Sequence, residues 1–319
     1  MNIKYVISAA LFATLPSLML AQTGPDATTV ERKNQPPTSV TSGDNQNDKV
    51  DASDAGAQRP IFLKTEKISG FAGLDSRYFY RDNPFQASDS LNDAETAIWT
   101  NTAYVGASFE AFEVDDAVIT PYIGASYTKT EYLESGLDGF NFESTSAYAM
   151  LTAQHSNGWT YRGGVSYAMD SSDLNNEETY SEFYPYIGAM KTHSVYESIV
   201  GIFDITAGKH FSKSDDFFST SDNPLDNFDA TISYGLQYVF QNFIISPRYA
   251  LTYKSFSFGS NDDREDLIHS LSLKVNYPIN DDLNVGVFGS FSKRDTDGIY
   301  STDYESMDGG VALGLNTTF

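Results

Sequence analysis

The 319-residue sequence contains no cysteine. That excludes a disulfide framework, a thiolate metal centre and the thiol on which a lipoprotein anchor is built. Basic residues are scarce, with 20 Lys and Arg against 43 Asp and Glu and a formal net charge of −23. Such a surface repels polyanions, so no nucleic-acid partner is expected. Past residue 21 the sequence also lacks any run approaching the roughly 20 apolar residues that a spanning helix needs. Two architectures remain: a soluble fold, or a membrane protein that crosses with strands. Mean hydropathy does not separate them, because the strands of a membrane barrel are half polar.

Aromatic residues are abundant, with 21 Tyr and 22 Phe but only 2 Trp, which suits the interfacial girdles of a membrane barrel. Residues 1–21 combine one basic residue, Lys4, an apolar run from Tyr5 to Leu20 and a small residue, Ala21, before Gln22. This is the pattern of a signal peptide cleaved near Ala21, the run being short and broken by Pro16. Residues 22–65 are rich in Thr, Asn, Asp and Gln, are punctuated by Pro25, Pro36, Pro37 and Pro60, and show no apolar periodicity. They predict a disordered periplasmic tether, since such a composition buries too little apolar surface to offset chain entropy.

From residue 66 to 319 the pattern becomes segments of alternating polarity separated by clusters of Gly, Asp, Asn and Ser, the period of half-buried strands. In one, Leu283, Val285, Val287, Gly289 and Phe291 face one way and Asn284, Gly286, Ser290 and Ser292 the other, with Phe288 the one bulky exception. The alternation recurs in 159–169, 228–240, 243–254 and 267–277. Weaker candidates lie near 67–80, 97–112, 117–130, 144–155, 180–191, 198–211 and 306–319. The reading is an all-β transmembrane antiparallel β-barrel of about twelve strands behind the disordered tether. Its connections alternate between short (113–116, 156–158, 192–197, 241–242, 278–282) and long (81–96, 131–143, 170–179, 212–227, 255–266, 294–305). Short periplasmic turns and long external loops alternate in this way in outer-membrane barrels, whereas a soluble barrel or sandwich has less reason to gather its long loops at one end.

The hairpin from Leu283 to Phe319 resembles the closing hairpin of Gram-negative outer-membrane β-barrel proteins, the porin-like superfamily. Phe319, with Leu315, Leu313 and Val311 in register behind it, is similar to the signal such proteins present to the barrel-assembly machinery, although Thr317 departs from its usual apolar residue. The near-copies Thr120-Pro121-Tyr122-Ile123-Gly124-Ala125-Ser126-Tyr127 and Tyr184-Pro185-Tyr186-Ile187-Gly188-Ala189-Met190 resemble a strand phrase of small barrels of this kind. Their prolines stand against strand interiors. The resemblance implies a cell outer-membrane location, contact with outer-membrane lipid and lipopolysaccharide, and engagement of the assembly machinery.

Gln154-His155-Ser156-Asn157-Gly158 resembles the His and Ser phrase of outer-membrane phospholipases. In that family one residue separates the two, which puts both side chains on one face of a strand; here they are adjacent and face opposite ways. Asn157-Gly158 is hairpin-turn chemistry. The acidic stretches 261–266 and 295–298 lack the spacing of a calcium loop and suit solvated loops. No cofactor is implied, and no enzyme is expected. The expected lumen lining is Asp75, Arg77, Glu110, Arg162, Glu182, Asp204, Asp229, Arg248, Lys254 and Lys274, each dependent on its strand register. Charges of both signs in one interior suit a small passive pore for ions or small solutes, or a plugged structural barrel whose charges cancel in pairs. An autotransporter-type translocator domain is the third reading, and the tether leaves room for a periplasmic partner.

Overall fold

The computed structural model describes residues 68–84, 95–173, 178–196, 198–214, 225–297 and 303–319. The expected signal peptide and tether lie outside the described residues. The strands are β1 (Ile68–Arg81), β2 (Thr96–Phe109), β3 (Phe112–Val114), β4 (Ala117–Tyr132), β5 (Phe142–His155), β6 (Trp159–Ser172), β7 (Glu178–Tyr196), β8 (Ile199–Ser214), β9 (Asn227–Phe240), β10 (Phe243–Phe256), β11 (Glu265–Pro278), β12 (Leu283–Thr296) and β13 (Tyr304–Thr318). Each pairs antiparallel with the next around the sheet, and two junctions close it. β1 pairs with β13 from Phe71 opposite Thr318 to Arg81 opposite Asp308. β2 passes over β3 to pair with β4, from Ser108 opposite Tyr122 to Ile98 opposite Tyr132. The result is a closed twelve-strand barrel with β3 as a thirteenth, accessory strand.

β3 falls where a short connection is expected. Phe112 and Val114 alternate with Glu113, and Asp115 takes a left-handed φ of 51° that turns the chain back so that Phe112–Val114 pairs with Ala117–Ile119. β7 also runs beyond its expected end, reaching Tyr196 through a register shift between Ser194 and Tyr196. The strand ends joined by the short turns and those joined by the longer connections lie at opposite ends of the barrel, as the sequence pattern requires.

Pro278 ends β11, and the three prolines inside strands have a common explanation. Pro121 lies just past the last β2 partner of β4, at Tyr122. Pro185 falls in the gap of the β7–β8 ladder between Phe183 and Tyr186, and Pro247 in the gap of the β9–β10 ladder between Ile245 and Arg248. A residue with no N–H is tolerated where one ladder is already interrupted.

Sidedness is inverted relative to a soluble protein. On β5, Ser144, Ser146, Tyr148, Met150 and Thr152 are buried, while Thr145, Ala147, Ala149 and Leu151 are exposed. Leu74, Val105, Ile123, Ile187, Leu271 and Val287, each from a different strand, are likewise exposed, whereas Ser126, Arg162, Asp204, Ser233 and Asp266 are buried. A continuous apolar belt outside and a polar interior are what lipid demands of a closed barrel. The soluble alternative would need the reverse. No helix among the described residues is long and apolar enough to cross a membrane, so the crossing is made by strands.

The aromatic residues divide between two surfaces. Trp99, Tyr127, Tyr167, Phe183, Phe211 and Phe228 stand outward. Phe71, Tyr104, Tyr122, Tyr148, Met150, Tyr184 and Tyr186 form a cluster inside, along β1 to β7. A second interior cluster joins Phe79, Ile98, Tyr132 and Phe142, with Leu137 and Phe288 against it. The inward Phe288 packs on Phe79, ring centroids 5.9 Å apart, which accounts for the one bulky exception on β12. The interior rings fit because glycines lie under them. A Cβ on Gly124 would stand 2.5 Å from the Tyr148 ring, and one on Gly208 would meet the Tyr184 ring.

Candidate functional site

Closure directs the polar positions of twelve strands into one space, where long side chains reach across neighbouring strands. Arg162 on β6 faces Gly188 on β7, which faces Thr206 on β8. Its guanidinium passes over Gly188 and donates to both oxygens of Asp204, at 2.6 and 2.9 Å, and to Thr206 Oγ1. Both partners are buried, so this pair is strong and geometrically demanding. Arg248 on β10 reaches in the opposite sense across β9 and donates to Ser233 Oγ at 2.8 Å.

Towards the long-loop end the charges form three further groups. His210 on β8 is stacked on Tyr184 at 4.1 Å between centroids, with Nδ1 2.9 Å from Glu182 and Nε2 3.4 Å from Asp229. Asp229 is also the cross-strand partner of Lys254. On the far wall Arg81 grips Asp308 with Nε and Nη2, at 2.8 and 2.9 Å, and lies 5.4 Å from the Phe79 ring. Arg264, from the loop after β10, turns inward over Phe256 and holds both oxygens of Asp266 at 2.8 and 2.6 Å. Asp266 takes a further bond from Thr296 Oγ1 and lies 3.9 Å from Arg294, whose guanidinium sits over Tyr304. Lower on β1, Arg77 Nε bonds Asp75 at 2.9 Å, with its guanidinium 6.0 Å from the Phe288 ring.

Of the expected lining residues, Asp75, Arg77, Arg162, Glu182, Asp204, Asp229, Arg248, Lys254 and Lys274 occupy inward strand positions. Glu110 does not: it follows the last residue of β2 and is exposed in the turn before β3. The strand expected to run to 112 stops at Phe109, so Glu110 is carried out of the wall. Arg81, His210, Arg264, Asp266, Arg294 and Asp308 complete the network and were not anticipated. His210 shares the parity of Asp204, and Asp308 that of Ala312, so parity alone could have found them. Arg81, Asp266 and Arg294 sit where strands extend past the ends that apolar alternation suggests, and no such signal marks them.

The phrase 154–158 is a turn. His155 ends β5 and accepts a bond from Asn157 N at 3.1 Å, and Gly158 takes the left-handed φ of 84° that the turn needs. A one-residue His and Ser spacing does occur at His210 and Ser212, both inward on β8. There both imidazole nitrogens face carboxylates and the Ser212 hydroxyl donates to Asp226 at 3.0 Å, so the polar contacts of the two side chains run to different acidic residues. Among the described residues no group of three His, Cys, Asp or Glu is placed to hold a metal ion. In the 261–266 stretch Arg264 itself occupies the oxygens of Asn261 and Asp266.

The closed barrel, its apolar exterior and its polar interior define an outer-membrane β-barrel protein located in the cell outer membrane. Among solved structures the chain is similar to an outer-membrane channel from Pseudomonas putida F1, with 8% identity and a TM-score of 0.49 over 82% of this chain and 99% of that one. It is also similar to the outer-membrane channel DcaP of Acinetobacter baumannii, with 13% identity and a TM-score of 0.40 over 78% and 96%. A third similarity is to the β domain of the Bordetella autotransporter BrkA, with 8% identity and a TM-score of 0.44 over 77% and 99%. No family model matches the sequence, and no curated protein does.

Proposed function

We propose that the barrel is a narrow, non-enzymatic passive pore for ions and small solutes. The observation that carries this reading is the asymmetry of the inner wall. Tyrosines fill the side of β1 to β7, whereas a run of inward positions on β11 to β13 is small: Ser270, Ser272, Ser290, Ser292, Gly310 and Ala312. Short side chains along this stretch take up less of the lumen than the tyrosines do. In keeping with this, Ser272, Ser290 and Ser292 are partly accessible, and so are the Arg77 and Asp75 pair, at 19% and 15%, and the Arg81 and Asp308 pair, at 22% and 17%. A water-filled path beside the serine wall, bordered by paired charges, admits small hydrated solutes with weak selection by sign.

The test is conductance of the purified full chain in a planar bilayer, with liposome swelling in sugars of graded size. Discrete conductance steps are expected, and silence in both assays would sink the pore. A second reading, a filled structural barrel, is favoured by the burial of the Arg162–Asp204 and Arg264–Asp266 pairs. Under it the serine wall is dry, and accessibility labelling of a cysteine at Ser272 by a water-soluble thiol reagent would fail.

A further inference from the structure

Towards the long-loop end, four lysines stand on the outer surface of the described wall, and they differ in their partners. Lys129 Nζ lies 3.5 Å from both Glu131 and Asp173, and Lys293 Nζ lies 3.7 Å from Asp295 and 3.6 Å from Glu305. Lys209 and Lys213 alternate on β8 with the buried His210 and Ser212, which turns both outward. Among the described residues neither has a carboxylate within ion-pair distance. In a chain of net charge −23 these two cations are an exception.

Their placement is defined by the strands. Lys209 is opposite Phe228 on β9, which is opposite Ser255 on β10. Its ammonium donates to Ser257 Oγ at 2.9 Å, past the last residue of β10. The stem therefore runs along the wall and carries the charge outward beyond the row of its own Cα, as a lysine in a lipid-facing position does. Lys213 is already one residue from the end of β8. From β8 to β10 is two strand spacings, so the two charges stand roughly 10 Å apart around the outer rim. The wall beside them is aromatic: Phe211 lies between the lysines on β8, its ring 6.4 Å from that of Phe183, and both are exposed, as is Phe228.

Two exposed lysines hold a free anion only weakly, because each contact is made in water. A lipid adds apolar contact with the phenylalanines, and the interface holds its headgroup at the level of the charges. A single phosphate does not span the two positions, and a zwitterionic headgroup brings a cation of its own. Two phosphates at opposite ends of a disaccharide match both the number and the separation of the lysines. We propose that Lys209 and Lys213, with Phe183, Phe211 and Phe228 beside them, form a docking site for a doubly phosphorylated, acylated disaccharide, the chemistry of the lipid A part of lipopolysaccharide. Each phosphate meets one ammonium group, and the acyl chains descend along the phenylalanines. The site rests on the outer-membrane location of the barrel and is independent of whether the lumen conducts.

Native mass spectrometry of the full chain in detergent tests this, with doubly phosphorylated lipid A, its singly phosphorylated form and phosphatidylglycerol as probes. Doubly phosphorylated lipid A is expected to give a saturable one-to-one adduct, and loss of one phosphate to weaken it about tenfold. The double variant Lys209→Gln, Lys213→Gln is expected to lower retention to that of phosphatidylglycerol. The control, Lys129→Gln with Lys293→Gln, removes two lysines that already have carboxylate partners and should leave the adduct unchanged. The shift in gel mobility on heating checks that both variants fold. No adduct, equal retention of the singly and doubly phosphorylated forms, or equal loss in the two double variants would overturn the proposal.

Discussion

The side chain of Arg162 lies across Gly188 and ends on Asp204, two strands away around the barrel. A Cβ on Gly188 would stand 2.9 Å from Arg162 Nε and 2.9 Å from the carbonyl oxygen of Ile205. The glycine therefore has a steric role that is set by a residue on the neighbouring strand.

Gly188→Val should act through Arg162. The branched side chain displaces the guanidinium and leaves the Asp204 carboxylate buried without it, a loss of about 3–5 kcal/mol for a broken buried pair. Urea unfolding, followed by the mobility shift between folded and unfolded barrel on gels, measures this. Gly188→Val and Arg162→Ala should be strongly non-additive, because both remove the same contact. Additive effects would show that the glycine matters for some other reason.

A steric pair of the same kind joins Gly124 and Tyr148. Gly124→Ala places a methyl group against a ring held by β5, and overpacking of this sort costs about 1–3 kcal/mol. Adding Tyr148→Ala should recover part of that cost. If the double variant is no more stable than the sum of the two singles predicts, the ring and the glycine are not coupled.

The outer belt and the inner wall should respond oppositely to the same new charge. Ile187→Arg, facing lipid, is expected to destabilise the barrel by about 2–4 kcal/mol if it lies near the membrane midplane. Ser272→Arg, on the inner wall, should fold normally and lower single-channel conductance. Equal destabilisation at the two positions would contradict the assignment of inside and outside.

Ion selectivity should follow the inner arginines. Arg248→Ala removes a positive charge beside Asp204, so the reversal potential in a salt gradient should move towards cation preference. The shift should shrink at high salt, where charges at an aqueous surface are screened. An unchanged reversal potential would place the conducting path away from β10.

Phe319 pairs with Gly70 through both backbone bonds, at 2.7 and 2.9 Å, and its ring covers the space where a Gly70 Cβ would stand. Phe319→Ala should lower the yield of folded barrel in a membrane-insertion assay. The loss should exceed that from Thr317→Ala, since both positions face outward and only Phe319 lays a ring over Gly70.

Alternation along single strands was enough to read the barrel. Leu283, Val285 and Val287 against Asn284 and Gly286, or Phe228 to Phe240 against Asp229 to Gln237, are local patterns, because successive side chains of a strand leave on opposite faces. The spacing of turn residues gave the number of crossings and the side on which the long loops gather. Nine of the ten expected lining charges fall on inward positions for the same reason, and Glu110 fails only because β2 ends three residues early.

Parity places a residue on a face and does not say what it meets there. Nothing near Arg162 in the chain indicates Asp204, 42 positions away, or the open face of Gly188 between them. His210 meets Glu182 and Asp229 only because β7 and β9 flank β8, and Arg81 meets Asp308, 227 positions away, only because the sheet closes. The sequence by itself determined the strands, their sidedness and the membrane as their surroundings, since each follows from period-two polarity. Which charges share an interior and which rings lie on which glycines were decided by the tertiary structure, because shear and closure set the partners of each strand across the barrel.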